Sequence, residues 1–194
     1  MVNWLLIFIK MQALISMICT VFYVGLIPFA PGTFGSIAGL ALAAAVKFDI
    51  ITMTFLSGII FVVGYVFSDI YSKIIRNPDP KEVVIDEVVG MLIALIIAFL
   101  FAEKVLNIYY VNEIRHLTHC SFMYNGIIAL FSLILFRFFD ITKPGTIRRI
   151  EQQAEGGMGI MLDDVIAGIY AGVSFIVLSP FAILLLQIFQ RPLF

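Results

Sequence analysis

Residues 120–135 and 165–190 contain no Asp, Glu, Lys or Arg. Inside a bilayer every backbone polar group must be satisfied within its own segment, which leaves helices or closed barrels. The runs are continuous rather than alternating, so they read as helices. Between them lies FRFFDITKPGTIRRIEQQAEGGMGIMLDD, residues 136–164, with nine charges, the turn Pro144-Gly145 and the glycines Gly156, Gly157 and Gly159. Charges held between two such helices place polar chemistry at a membrane surface.

The rest of the chain agrees. It is 62% hydrophobic over 194 residues, against about 45–50% for a soluble domain. The expected class is an all-α integral membrane protein, one domain over residues 1–194. Six helices can be drawn, at residues 4–27, 33–46, 50–75, 83–102, 122–139 and 159–189. The second is short for a roughly 30 Å hydrocarbon core. Lys10 inside an apolar run, with no small-residue cleavage site near it, reads as a first helix rather than a removed signal. A net charge of −1 gives no nucleic-acid footprint.

Three polar segments interrupt the helices: PFAPGTFGS (28–36), RNPDPKEVVIDEVVG (76–90) and residues 137–164. If each helix crosses once, all three face one side and the loop 103–121 faces the other. Lys73, Arg76, Lys81, Arg137, Lys143, Arg148 and Arg149 belong to the first side; Lys47, Lys104, Arg115, Arg191 and Lys10 oppose them. The positive-inside bias puts the polar segments in the cytoplasm. Gly35-x-x-x-Gly39 and Gly168-x-x-x-Gly172 read as small-residue faces for close packing within the bundle.

Asp86, Glu87, Asp140, Asp163 and Asp164 stand where helices meet these segments. Carboxylates there lose water and repel one another unless a hard cation sits among them. Mg²⁺ suits oxygen ligands, and one or two carboxylates per ion suffice. Neighbours on a helix point about 100° apart, so not all five can ligate directly. The plainer reading is helix capping by Asp86 and Asp163, which leaves Glu87 and Asp164 unexplained. Lys143, Arg148 and Arg149 could hold a phosphate, or anchor at lipid headgroups. Arg137 is placed to pair with Asp140. Gly156 and Gly157 open a helix and could offer N–H groups to an anion, and Thr33 is a candidate N-cap.

Other motifs carry less. His116 and His119 lack a third ligand nearby and read as a solvated loop. Neither Cys19 nor Cys120 begins a Cys-x5-Arg phosphatase loop, since Gly25 and Gly126 stand six residues on, so both read as packing thiols. No nucleophile elbow or Walker loop occurs. What remains is metal-assisted attack by water.

Three blocks carry a resemblance: APGTFGS (30–36), IDEVVGM (85–91), and FRFFDITKP with GGMGIMLDDVIAG (136–144, 156–168). The chain resembles the phosphatidylglycerophosphatase A family over residues 13–186. The resemblance implies Mg²⁺-dependent dephosphorylation of phosphatidylglycerophosphate to phosphatidylglycerol in the bacterial inner membrane. The acidic positions it implies fall on Asp86, Glu87, Asp140, Asp163 and Asp164, and its basic position on Lys143. It also implies a bundle of one central helix surrounded by five. The chain departs from the pattern at Thr146, where a second proline is frequent, and at Glu155; both bear on the loop carrying Arg148 and Arg149. Two rivals remain. A CDP-alcohol phosphotransferase would need further Asp or Arg after Asp164, where Val165, Ile166, Ala167 and Gly168 stand. An ion or proton carrier would need charges at mid-membrane, where these helices have none.

Overall fold

Each apolar run is a helix in the computed structural model, which describes residues 2–106, 118–145 and 156–190. Among these residues there are six α-helices and no strand. They are α1 (Val2–Cys19), α2 (Pro31–Ala45), α3 (Ile50–Ile75), α4 (Ile85–Phe101), α5 (Thr118–Thr142) and α6 (Gly156–Gln190). Spans long and apolar enough to cross a membrane lie at Ile50–Ile75, Ile85–Lys104, Asn125–Thr142 and Gly156–Pro180. The protein is a multi-pass membrane protein.

The third helix falls where the sequence puts it, over 50–75. Asp49 caps it, its Oδ2 accepting from Thr52 N at 2.8 Å. Hydrogen bonding from the Thr52 side chain, and then from its N–H, holds the exposed Asp49 carboxyl below its usual range. The first helix differs. It ends at Cys19 rather than near residue 27. Phe22 N donates to Met17 O at 2.8 Å and Val21 N to Ile18 O at 3.1 Å, a reverse turn that closes a helix C-terminus. Such turns favour glycine in the left-handed position, but here Val21, Phe22 and Tyr23 take it, with φ of 49°, 55° and 67°. Contacts from elsewhere fix the turn. Val84 N donates to Cys19 O at 3.0 Å, and a Cβ on Gly25 would overlap the Glu82 carbonyl. Cys19 is buried and free, as expected of a packing thiol; the side chains of Cys120, His116 and His119 lie outside the described residues.

Helix α4 is central. It packs against α2, α3, α5 and α6, and Met91, Leu92, Ala94, Leu95 and Ala98 on it are fully buried. Four of the five neighbours that the family resemblance implies thus surround α4, while α1 packs against α3. The outward faces of the other helices are apolar and open, as at Ile51 (81% exposed) and Ile127 (66%), which suits a lipid surround.

Lipid tails are as apolar as leucine, so apolar burial does not drive helices together in a bilayer; close packing at small residues does. Both glycine pairs picked out in the sequence face α4. A Cβ on Gly35 would lie 2.8 Å from Val84 Cβ, and one on Gly39 would lie 3.0 Å from Val88 O. On α6, a Cβ on Gly168 would overlap the Gly90 carbonyl, and one on Gly172 would lie 2.5 Å from Ile97 Cβ. Gly90 in turn leaves room for Asp164 O, 2.6 Å from where its own Cβ would be. Helices α4 and α6 therefore touch backbone to backbone.

Gly168→Ala should thus cost about 1–3 kcal/mol through overpacking against a backbone that cannot move aside. Gly58→Ala is the control, because no atom lies within 4 Å of its Cβ position. Thermal unfolding in detergent should show a drop for the first and none for the second. Equal melting temperatures would contradict the close approach.

Candidate active site

The described parts of the three polar segments meet at one end of the bundle. Helices α2, α4 and α6 begin there, and α3 and α5 end there. The first turn of α4 carries Asp86 and Glu87. One α6 turn carries Asp163 and Asp164, and the last turn of α5 carries Asp140. Asp140 thus lies within its helix, which runs on to Thr142 rather than stopping at residue 139.

One oxygen from each of Asp86, Glu87 and Asp164 lies within 4.8 Å of the other two. Asp164 is 3% exposed. It lies within hydrogen-bond reach of Asp140 and faces the charges of Asp86 and Asp163. Among the described residues, two of the five acids have ion-pair partners. Lys143 Nζ donates to Asp163 Oδ2 at 2.7 Å, and Arg137 Nη1 pairs with Asp140 Oδ2, as their spacing suggested. Helix capping does not account for the cluster. Val84 occupies the α4 cap position, and Asp163 stands well past the first turn of α6.

The APGTFGS block supplies the near wall. Pro31 occupies the first helical position of α2, where a missing N–H costs nothing. A Cβ on Gly32 would overlap Glu87 Oε1 and lie 3.0 Å from Arg137 Nη1. Glycine there lets the α2 backbone approach both side chains. Ser36 Oγ accepts from Arg137 Nη1 at 3.4 Å and donates to Gly32 O at 2.8 Å. Arg137 therefore ties α2 to α5, beyond its pairing with Asp140. Thr33 is not the N-cap. Ala30 holds that position in a left-handed conformation, and Thr33 lies in the first turn, its N–H donating to Ala30 O at 3.0 Å.

Gly156 and Gly157 lie inside the first turn of α6 rather than ahead of it. Gly156 has φ +65°, which suits glycine. The Gly157 N–H donates to Asp69 Oδ1 at 3.3 Å, so a carboxylate of the protein occupies the donor that the sequence offered to phosphate. No sequence motif marks Asp69; its place near the end of an apolar helix is the only signal it carries. Arg148 and Arg149 lie outside the described residues.

The arrangement fits a divalent cation. Three carboxylates converge, Glu87 Oε2 is buried with no hydrogen-bond partner among the described residues, and the donors are all hard oxygens. If these acids repel one another in metal-free protein, Asp164→Asn relieves like-charge repulsion at nearly constant shape. Its melting temperature in metal-free detergent solution should rise by about 2–4 °C, the scale of roughly 1 kcal/mol for a chain of this length. A fall would show that Asp164 is held by a counter-charge already.

Residues 17–179 match the phosphatidylglycerophosphatase A family. The chain is 34% identical over 149 residues to the phosphatidylglycerophosphatase A of Haemophilus influenzae, covering 76% of this chain and 77% of that protein. It is 28% identical over 148 residues to the Escherichia coli protein of the same name, covering 75% and 72%. A Bacteroides thetaiotaomicron relative, provisionally named a phosphatidylinositol-3-phosphatase, is 34% identical over 163 residues, covering 80% and 87%. No solved structure matches the chain. The chain belongs to the phosphatidylglycerophosphatase A family, and is a phosphatase.

Proposed function

We propose that this enzyme hydrolyses the terminal phosphate of phosphatidylglycerophosphate, with Mg²⁺, at the cytoplasmic face of a bacterial inner membrane. The observation that carries this reading is the convergence of Asp86, Glu87 and Asp164 within 4.8 Å at the polar end of an apolar bundle. Acyl chains would stay in the bilayer against the open apolar helix faces, and the lipid's phosphate would come to the bundle end.

Asp86, Glu87 and Asp164 would hold the cation, with Asp140 and Asp163 beside them. When bound, Mg²⁺ supplies a Lewis acid for phosphate oxygens and makes a water more acidic. Lys143 balances charge on the phosphate oxygens, exchanging part of its contact with Asp163 for the substrate. Arg148 and Arg149 belong to the same polar segment and add phosphate-binding charge, with Thr33 on the α2 side. Water attacks phosphorus, Asp164 or Glu87 accepts the water's proton, and as the bond to the glycerol oxygen breaks that oxygen takes up a proton returned from the acid and leaves as the hydroxyl of phosphatidylglycerol. Gly156 and Gly157 shape the entry of α6. Arg137 holds Asp140 and the α2 backbone in place.

The placement of charge disfavours both rivals. A carrier would need acids along the path through the bundle, yet the described acids stand near its ends, Asp49 and Glu103 at one and the cluster at the other. A CDP-alcohol phosphotransferase has no support from the residues that follow Asp164.

Purified protein in mixed micelles should release phosphate from phosphatidylglycerophosphate, and EDTA should stop it. Full activity in excess EDTA would overturn the metal assignment. Phosphatidylinositol 3-phosphate belongs in the same assay, because one relative is named for it; faster turnover of that lipid would reassign the headgroup and keep the chemistry. Asp86→Asn, Glu87→Gln and Asp164→Asn should each lose about 10²-fold or more in rate, the scale of a lost ligand or general base.

The face can be read separately. In a chain whose cysteines at 19 and 120 are replaced, single cysteines at Asn77 and Gln153 should label from the cytoplasm and one at Asn112 from the periplasm. Labelling of 77 and 153 from opposite sides would rule out a shared site.

A further inference from the structure

Helix α6 meets its neighbours along one stripe. Gly157, Met161, Asp164, Gly168 and Gly172 follow spacings of four, three, four and four residues, which keep one face of a helix. The stripe touches α3 first and α4 afterwards. A Cβ on Gly157 would overlap Tyr65 O and lie 2.9 Å from Asp69 Cβ. A Cβ on Gly64 would lie 2.7 Å from Met161 Sδ. Gly168 and Gly172 then meet α4 at Gly90 and Ile97. The first turn of α6 is therefore seated on α3, and the acids lie two turns further along the same helix.

One side chain holds that seat. Asp69 Oδ1 accepts from Gly157 N at 3.3 Å, and Asp69 Oδ2 accepts from Lys73 Nζ at 2.7 Å. The carboxylate takes an N–H that has no partner inside the helix, and its charge complements the positive helix end. Gly156, at φ +65°, has Asp69 Oδ1 where a Cβ would be. The two glycines thus make room for a carboxylate of α3.

We propose that Asp69 is a positioning residue. It fixes the height and rotation of α6 on α3, and through them the places of Asp163 and Asp164. Gly157 and Asp164 are seven residues apart on a helix with a repeat of about 3.6, so the azimuth set at one is carried to the other. In this role Asp69 acts through α6, apart from the Asp86, Glu87 and Asp164 group. The inference rests on Asp163 and Asp164 being working groups of the proposed reaction.

The test uses the full chain in detergent and three variants. Asp69→Ala removes the acceptor. Asp69→Asn keeps an acceptor oxygen and loses the charge. Lys73→Ala removes the ion pair and keeps the acceptor. Amide hydrogen exchange over residues 156–164, measured without substrate, should speed up about tenfold or more in Asp69→Ala. It should stay near wild type in the other two, with exchange over residues 88–99 unchanged in all. In turnover, Asp69→Ala should lower kcat about tenfold or more with KM within about twofold, and Asn should restore most of it.

Wild-type exchange in Asp69→Ala overturns the seating. So does equal loosening by Lys73→Ala, which would give the role to the ion pair. If the Ala variant does not fold, fast exchange in Asp69→Asn overturns it and near-wild-type exchange there supports it. If wild-type protein releases no phosphate from any phospholipid, the functional reading fails, while the exchange measurements still decide the seating.

Discussion

The backbone contact between α4 and α6 governs this molecule. In lipid the helices gain little from hiding apolar side chains, so their arrangement follows from where backbones can touch. Gly90 and Gly168 make that contact, and Asp164 O lies against Gly90. The acid that α6 contributes is therefore set beside the acids at the start of α4. Any side chain at either glycine would separate the helices and with them the carboxylates. The same glycines that give the bundle its packing give the site its spacing.

With all three carboxyls ionised, that spacing would carry a large repulsion. Unit charges 4.8 Å apart repel by about 3–4 kcal/mol at an effective dielectric near 20. Three such pairs approach about 10 kcal/mol, comparable with the whole stability of an ordinary domain, roughly 5–15 kcal/mol. Lys143 and Arg137 offset Asp163 and Asp140 and are already engaged there. Among the described residues Asp86 and Asp164 have no ion-pair partner, and Arg137 lies near Glu87 across Gly32. Under the proposed function a divalent cation would offset that repulsion and also serve phosphate chemistry, so the same residues would answer both the structural and the functional question.

Much of this was legible in the sequence, and the failures have physical causes. Uncharged runs located the helices because a bilayer admits few other folds. The five acids stood out because charge at a helix boundary is costly, and Lys143 because it shares their segment. The end of α1 was not legible. Its closing turn uses Val21 where glycine would have announced a stop, and the contact from Val84 that supports it comes from a distant part of the chain. Thr33 looked like a cap because its residue type suits one, yet Pro31 starts the helix earlier. Gly156 and Gly157 looked like an anion loop. The anion they receive is Asp69, 88 residues away from Gly157, and no local pattern reveals such a partner.

The short α2 shows how packing overrides bilayer matching. At 15 residues it spans about 22 Å, less than a hydrocarbon core of about 30 Å. Its place is set by α4 instead. Gly32 abuts Glu87, Gly39 abuts Val88 and Met91, and just beyond its end Phe48 stacks on Phe99 with ring centroids 5.0 Å apart. The two helices run parallel from the acids, in register. Registered at the acidic end, α2 leaves its whole shortfall at the opposite end, where α4 continues through a turn at Ala102–Leu106. A helix matched to the bilayer could slide to centre itself and would carry Gly32 away from Glu87. A short helix bound by glycines cannot, so the wall of the site stays where the chemistry needs it.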